Sequence, residues 1–298
     1  MYARRYGLIR TLAPLHVGAS EGEESGNLNL IFRDPYTQTG IVPGSSIRGR
    51  FRAECRAGED SSLCETWYGN DFGAQKANDQ GGKEAFIKEG AVKFEYASLL
   101  WLPVFCPGQP IVWVSCPRLL RRYAASARPE LKPDELEALL PKPYTCSAQI
   151  SAPGKGGSVK LFFNLGFLTL KRADEPSRWF PSEVMDDPTA KDHLVVVRDS
   201  DIGMIHDMAL YRQSRVKMDD KEKKVAGSFF FNVEAIPEGS ILFFPVAIKP
   251  EQAKEWQPLA FNNEKEIYLG GLESIGFGRC SVKVIDPSTT QLILEEVA

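Results

Sequence analysis

Strand-forming runs rich in apolar residues recur along the chain, with only short helical stretches between them. Residues 91–103, 111–115, 158–170 and 241–248 have this character. Their lengths and their β-branched and aromatic content suit strands buried in a sheet. A first strand is expected over residues 6–12. Helical signals are fewer: residues 45–57, a stretch opened by Pro117, residues 134–140 and residues 199–209. This mixed, strand-heavy order favours an α+β fold built on an antiparallel sheet.

The most pointed local pattern lies in residues 30–53. A polar turn, Asp34-Pro35-Tyr36-Thr37, leads to Pro43-Gly44-Ser45-Ser46, where a basic helix begins. Pro43 and Gly44 break the chain, and Ser45 or Ser46 can cap the free N–H groups of the first turn. Exposed amides, the positive end of the helix dipole and the forks of Arg48, Arg50 and Arg52 together suit a phosphodiester backbone. The plainer alternative is a capped helix with solvated arginines.

At 298 residues the chain can hold two packed units or one elaborated domain. Its 43% hydrophobic and 25% charged residues are those of an ordinary soluble protein. No apolar run approaches the roughly 18 residues of a membrane helix, and residues 1–10 lack the apolar core of a signal peptide. A cytoplasmic protein with no membrane partner is expected. Cys55, Cys64, Cys106, Cys116, Cys146 and Cys280 form no C-x-x-C pair and no finger-like spacing with His16, His193 or His206. They therefore read as reduced thiols, and no metal is assigned to them. The net charge of −3 gives no global argument for nucleic acid, so any RNA groove must come from segregated charge. Segregation is present: Arg48, Arg50, Arg52 and Arg56 lie together, as do Arg118, Arg121 and Arg122.

The connecting segments carry further signals. Residues 17–27 are a flexible Gly/Ser/Glu loop, and residues 58–82 look like a mobile insertion. Residues 214–218 and 228–232 flank the charged tip 219–224, which makes a β-hairpin. Residues 268–280 form a glycine-rich loop before a last strand. Its Gly270, Gly271, Gly276 and Gly278 can take positive φ and let the backbone approach a ligand; a tight β turn is the alternative. His16, at the end of the first strand, could serve as an acid or base in RNA cleavage, although a hydrogen-bonded structural histidine is the commoner case. Glu23 and Glu24 could offer oxygen ligands to Mg²⁺, or form a solvated acidic loop.

Taken in order, residues 12–18, 33–37, 41–49, 90–104 with 113–117, 215–219 with 227–230, and 270–278 resemble the RAMP superfamily of CRISPR effector subunits. The resemblance is to the repeated backbone subunit of the type III-B (Cmr) complex, with type III-A and III-D relatives sharing several motifs. It implies one RAMP-type domain over residues 1–298, with an RRM-like (ferredoxin-like) core elaborated into palm, fingers and a thumb-like insertion over about 190–232. It also implies the partners: CRISPR guide RNA, single-stranded target RNA, other effector subunits, and further copies of the chain stacked along the guide. Ser45, Ser46, Arg48 and Arg50 would hold guide phosphates, and Gly270, Gly271, Gly276 and Gly278 would let the backbone approach the same strand. Met218, Phe229 and Phe230 of the hairpin would wedge at a displaced base. Contacts of this kind read the backbone and leave sequence to base pairing.

One departure matters. The family carries an Asp for metal-dependent target cleavage in the loop after His16, and the matching column here falls on Leu28, or on Asn27 after a one-residue slip. Neither can take a proton or supply an anionic metal ligand. By residue matching, binding carries over and cleavage does not, so no catalytic residue is assigned. Cleavage would need Mg²⁺ held by Glu23, Glu24 or Asp34, or a metal-independent reaction at His16.

Overall fold

The central strands are apolar at consecutive positions because both faces of their sheet are covered. The computed structural model describes residues 2–18, 28–58, 61–70, 89–109, 111–154, 156–164, 166–181, 184–185, 187–218, 225–259 and 263–287. At 28, 61–62, 217–218 and 225–231 it describes the backbone alone. The amino-terminal part holds β1 (Ala3–Thr11), β2 (Leu28–Asn29), β3 (Ile41–Val42), α1 (Gly44–Gly58) and α2 (Ser61–Tyr68). The middle holds β4 (Val92–Phe94), β5 (Ala97–Phe105), β6 (Ile111–Ser115), α3 (Pro117–Ala127), α4 (Pro133–Leu139), β7 (Thr145–Ser147), β8 (Ser158–Phe163) and β9 (Gly166–Ala173). There follow β10 (Leu194–Val196), α5 (Ile202–Ala209), β11 (Tyr211–Met218), β12 (Val225–Ala235), β13 (Ile241–Ile248), β14 (Glu264–Tyr268) and β15 (Arg279–Ile285).

Among the described residues these strands form a 12-stranded sheet in the order β14–β15–β1–β13–β5–β6–β10–β7–β9–β8, with β3 on β5 and β4 on β13. Neighbours run antiparallel except β6 with β10 and β7 with β9. The fold is α+β, as the strand-heavy order predicts. Alternation sorts the central strands between two cores. Ile9, Leu99, Leu242 and Phe244 pack on one face with Ile47, Phe51 and Cys55 of α1. Tyr6, Leu8, Trp101 and Phe243 pack on the other with Leu120, Tyr123 and Ala124 of α3. A bulge between β5 and β13 at Ile241/Leu242 places Leu100 beside Trp101 in that second core.

Two expectations are corrected here. Cys55 and Cys64 are joined by a disulfide, which ties α1 to α2; Cys106, Cys116, Cys146 and Cys280 are free and buried. Spacing alone could not reveal this pair, because only the packing of α2 against α1 brings the two residues together. The same packing orders part of the segment read as a mobile insertion: α2 buries Trp67 and Tyr68. Residues 59–60 and 71–88 lie outside the described residues.

The hairpin belongs to a separate three-stranded sheet, β11–β12–β2. β12 runs parallel to β2, with Asn232 opposite Leu28 and Val233 opposite Asn29. The chain leaving the loop after His16 is thus stitched to the root of the hairpin. Leu194–Val196, early in the span read as the thumb-like insertion, is a strand of the large sheet, and the hairpin itself begins at Tyr211. No helix among the described residues is long and apolar enough to cross a membrane.

Candidate nucleic-acid interface

Helix α1 turns Ile47, Phe51 and Cys55 inward, which leaves Ser45, Arg48 and Gly49 exposed. Its start departs from the expected cap. The Pro43 carbonyl accepts the N–H groups of Ser46 (3.0 Å) and Ile47 (3.2 Å), so Pro43 holds the cap position and both serines lie inside the first turn. Ser46, Gly49 and Arg50 line a cleft of 460 Å³ whose other wall is Gly270 and Gly271. Residues more than two hundred positions apart thus meet at one opening. Arg50 is not idle there: it pairs with Glu54, which also accepts from Lys265 Nζ at 2.6 Å. Burial pushes the Glu54 carboxyl up, but Lys265 and Arg50 more than offset it and hold the pKa below the ordinary value. Arg48 carries no ion pair with any described residue. Gly49 was not picked out by sequence reasoning; an exposed glycine inside a helix, where Ala would be more stable, was the available signal.

The four glycines of the loop divide into two kinds. Gly270 has φ +77°, and a Cβ there would lie 2.1 Å from the His16 carbonyl oxygen; Gly278 has φ +84°, with the Leu269 oxygen at 2.3 Å. These two allow the loop to close on the body of the protein. At Gly271 and Gly276 an added Cβ would meet nothing within 4 Å, so their backbone faces open space. The Gly271 N–H donates to the His16 carbonyl at 2.9 Å. Leu272 between them is also left-handed, with φ +65°, and is held there by packing on Val233, Ala235 and Phe277. Phe277 meets Tyr211 edge-on at 5.8 Å, which couples the glycine loop to the hairpin root.

The root itself is a charge network that sequence reasoning missed. Glu234, 4% exposed, accepts from Arg33 Nη2 at 3.0 Å and from Arg212 Nε and Nη2 at 3.2 Å each. Arg33 also pairs with Asp207. Burial works against the charged Arg33, but its bonds to Asp207 and Glu234 hold its pKa above the ordinary value. Arg212 and Glu234 face each other across β11 and β12, so the hairpin register would have exposed the pair. His16 is buried, and its Nδ1–H donates to the Glu234 carbonyl at 2.7 Å. That bond places the proton on Nδ1 and ties the histidine to the root. His206, fully buried, accepts the Gly40 N–H at Nε2 (3.0 Å); burial, helped by Arg33, pushes its pKa down to about 4.

The other candidates are placed as follows. Asp34 Oδ1 accepts from the N–H groups of Tyr36 (2.9 Å) and Thr37 (2.8 Å) and from the Thr37 hydroxyl (3.1 Å), while Oδ2 accepts from Tyr96 Oη at 3.2 Å. Oδ1 thus builds the turn and Oδ2 ties it to Tyr96, so both oxygens are engaged. Glu23, Glu24 and Asn27 lie outside the described residues, and Leu28 is described only as backbone in β2. Among the described residues no group of three His, Cys, Asp or Glu side chains could hold a metal ion. The backbone of Met218, Phe229 and Phe230 lies on the hairpin, and their side chains are outside the description.

A model of the family described as the RAMP superfamily matches residues 8–281. Among solved structures, oligomeric Cmr4 from Pyrococcus furiosus aligns at 16% identity over 96% of this chain and 99% of that one, with a TM-score of 0.66. A chain of the type III-B Cmr-beta complex bound to cognate target RNA aligns at 18% identity, covering 95% and 98%, with a TM-score of 0.69. Its counterpart in the apo state gives 17%, 95%, 97% and 0.68. At such identities the likeness is one of fold. A comparison with curated protein sequences finds no match.

Proposed function

Because the chain belongs to the RAMP superfamily, we propose that it is a CRISPR RNA-binding backbone subunit of a type III effector complex, working in the cytoplasm. Copies of it stack along the guide, beside other subunits, and present single-stranded target RNA for antiviral defence. The observation that carries this reading is the cleft between α1 and the glycine loop. There Ser46, Gly49 and Arg50 form one wall and Gly270 and Gly271 the other, with open space beside the Gly271 Cα. Arg48, next to Gly49 in sequence, is exposed on the same helix. Such a surface grips a sugar-phosphate chain without reading its bases, so any guide is accepted. The hairpin would act as a thumb: at its root the Glu234 carbonyl accepts from His16, whose own carbonyl accepts the Gly271 N–H of the glycine loop.

The test is Arg48→Glu. The variant is expected to weaken guide retention and assembly, and to lower the salt dependence of binding by about one phosphate contact. Unchanged RNA retention at moderate salt counts against the phosphate assignment.

Binding without target cleavage is the companion proposal. Asn27 and Leu28 offer no carboxylate, Asp34 is committed to its turn, and His16 is bonded to Glu234. End-labelled RNA complementary to the guide is expected to stay intact with the assembled complex, in Mg²⁺ and in EDTA. A regularly spaced ladder from the unmodified protein in Mg²⁺ would assign cleavage to another carboxylate, with Glu23 and Glu24 first to be substituted. A ladder that persists in EDTA and disappears in His16→Ala would instead identify a metal-independent nuclease.

A further inference from the structure

A second pocket, of 370 Å³, shares no lining residue with the glycine-loop cleft. It lies between the Asp34–Thr37 turn, Tyr96 and the basic face of α3. Tyr36, between the lining residues Asp34 and Thr37, is 76% exposed and faces the neighbouring cavity lined by Thr37 and Asp199. Its backbone is locked by the Asp34 carboxylate, which takes the Tyr36 and Thr37 amides and the Tyr96 hydroxyl. A ring this exposed contributes little burial to the fold. The Arg118 guanidinium lies over the ring with Cζ 4.7 Å from its centroid, and the rest of the ring is open to solvent. Arg118 is itself positioned, since its N–H donates to Asp199 Oδ1 at 2.9 Å.

The three arginines of the pocket are not equivalent. Arg122 is the floor: it stacks on Tyr96 at 4.0 Å, donates to Ser98 Oγ at 2.6 Å and pairs with Glu95 at 3.3 Å. Arg121 is paired with Glu137. Asp199 takes only the backbone N–H of Arg118, and its guanidinium pairs with no carboxylate among the described residues, so that charge is available to an incoming anion. An aromatic face next to an available guanidinium matches one ligand chemistry: a nucleobase on the ring and a phosphate on the cation. A carboxylate from a protein partner would use Arg118 and leave the ring idle. The volume, near the lower end of the roughly 300–1,000 Å³ of small-molecule sites, suits a single nucleotide.

We propose that Tyr36 and Arg118, with the pocket behind them, form a stacking site for one unpaired RNA nucleotide, separate from the phosphate cleft at the glycine loop. This rests on the reading that the protein binds RNA. The experiment uses the full chain and a short fluorescein-labelled RNA of mixed sequence carrying one thiouridine. Affinity is measured by anisotropy, and the photo-crosslink is mapped by mass spectrometry. Tyr36→Ala is expected to weaken binding about 5- to 20-fold, while Tyr36→Phe, which keeps the ring, stays within about twofold. The crosslink is expected on the peptide containing Tyr36. Because the side chain is exposed, both variants should unfold at the temperature of the unmodified protein. Equal affinity of Tyr36→Ala and unmodified protein, with Arg48→Glu still impaired, overturns the pocket and leaves the phosphate cleft standing. No binding by the folded, unmodified protein overturns the RNA reading and the pocket with it. Competition by polyglutamate but not by unlabelled RNA assigns the pocket to an acidic protein segment and also overturns the proposal.

Discussion

The glycine-loop cleft and the hairpin root adjoin the same short segment of chain, yet they are built on opposite principles. Phe32 lines the cleft and Arg33, the next residue, anchors the root. The cleft is shaped by missing side chains: Gly49 and Gly271 leave space, and Gly270 and Gly278 let the loop close. The root is shaped by charge, with Glu234 buried between two arginines and Asp207 beside them. A surface that accepts any polynucleotide needs exposed backbone and little fixed detail. A lever that must stand at one angle needs interactions that fail when the angle changes. The difference teaches that the root carries stability and the cleft carries access, and each can be perturbed without the other.

The largest effect is expected at Glu234. Glu234→Ala leaves Arg33 and Arg212 facing an empty buried site and should cost about 3–4 kcal/mol by chemical denaturation. The low end of the usual range applies because Arg33 keeps Asp207 and Arg212 is half exposed. A loss below about 1 kcal/mol would mean the root is not held by charge. The contrast between root and cleft would then collapse.

His206 supplies a pH signature of the root. Its folded pKa, pushed down to about 4 by burial and Arg33, lies below that of a free imidazole. Between those two values the unfolded chain binds a proton that the folded chain does not. Stability is therefore full above about pH 6.5 and falls as the pH drops toward 4, by up to roughly 3 kcal/mol. His206→Gln should be less stable at neutral pH and lack this part of the acid slope. If its slope between pH 6.5 and 4 equals that of the unmodified protein, other groups carry it.

The disulfide lies on the cleft side, behind α1. Closing a loop of sequence separation 9, it should contribute about 2–3 kcal/mol by restricting the unfolded chain. Reduction by a dithiol should lower the denaturation midpoint accordingly. Equal thiol titres of the denatured protein with and without reductant would show that Cys55 and Cys64 are not joined.

What could be read from sequence divides along the same line. The α+β class, the course of α1, the Pro117 start of α3, the hairpin and the glycine loop follow from local rules: breakers, periodicity and strand propensity. That Pro43 rather than a serine takes the cap position is a detail of a few dihedral angles, and propensity does not reach it. The hairpin register pairs Arg212 with Glu234, but the arrival of Arg33 at Glu234, the Cys55–Cys64 bond and the meeting of Ser46 with Gly271 depend on which distant segments become neighbours. No local pattern encodes that. Asp34 is ambiguous in sequence for a related reason: an Asp in a turn can bind its own amides or a metal, and the bonds it makes to Tyr36, Thr37 and Tyr96 depend on where those residues lie.

The smallest effect tests the contrast most directly, because it should carry opposite signs in stability and in binding. Gly49 sits in the interior of α1 with nothing within 4 Å of an added Cβ. Gly49→Ala should therefore stabilise the fold by about 0.5–1 kcal/mol, through backbone entropy and helix propensity alone. The same position lines the cleft, so a longer side chain that is also a good helix former would occupy the space the proposal gives to RNA. Gly49→Gln should keep much of the gain in stability and lose RNA affinity, while Gly49→Ala should change affinity little. A Gln variant that binds as tightly as the unmodified protein would mean the polynucleotide does not run past this face of α1. The glycine would then be only a defect in the helix.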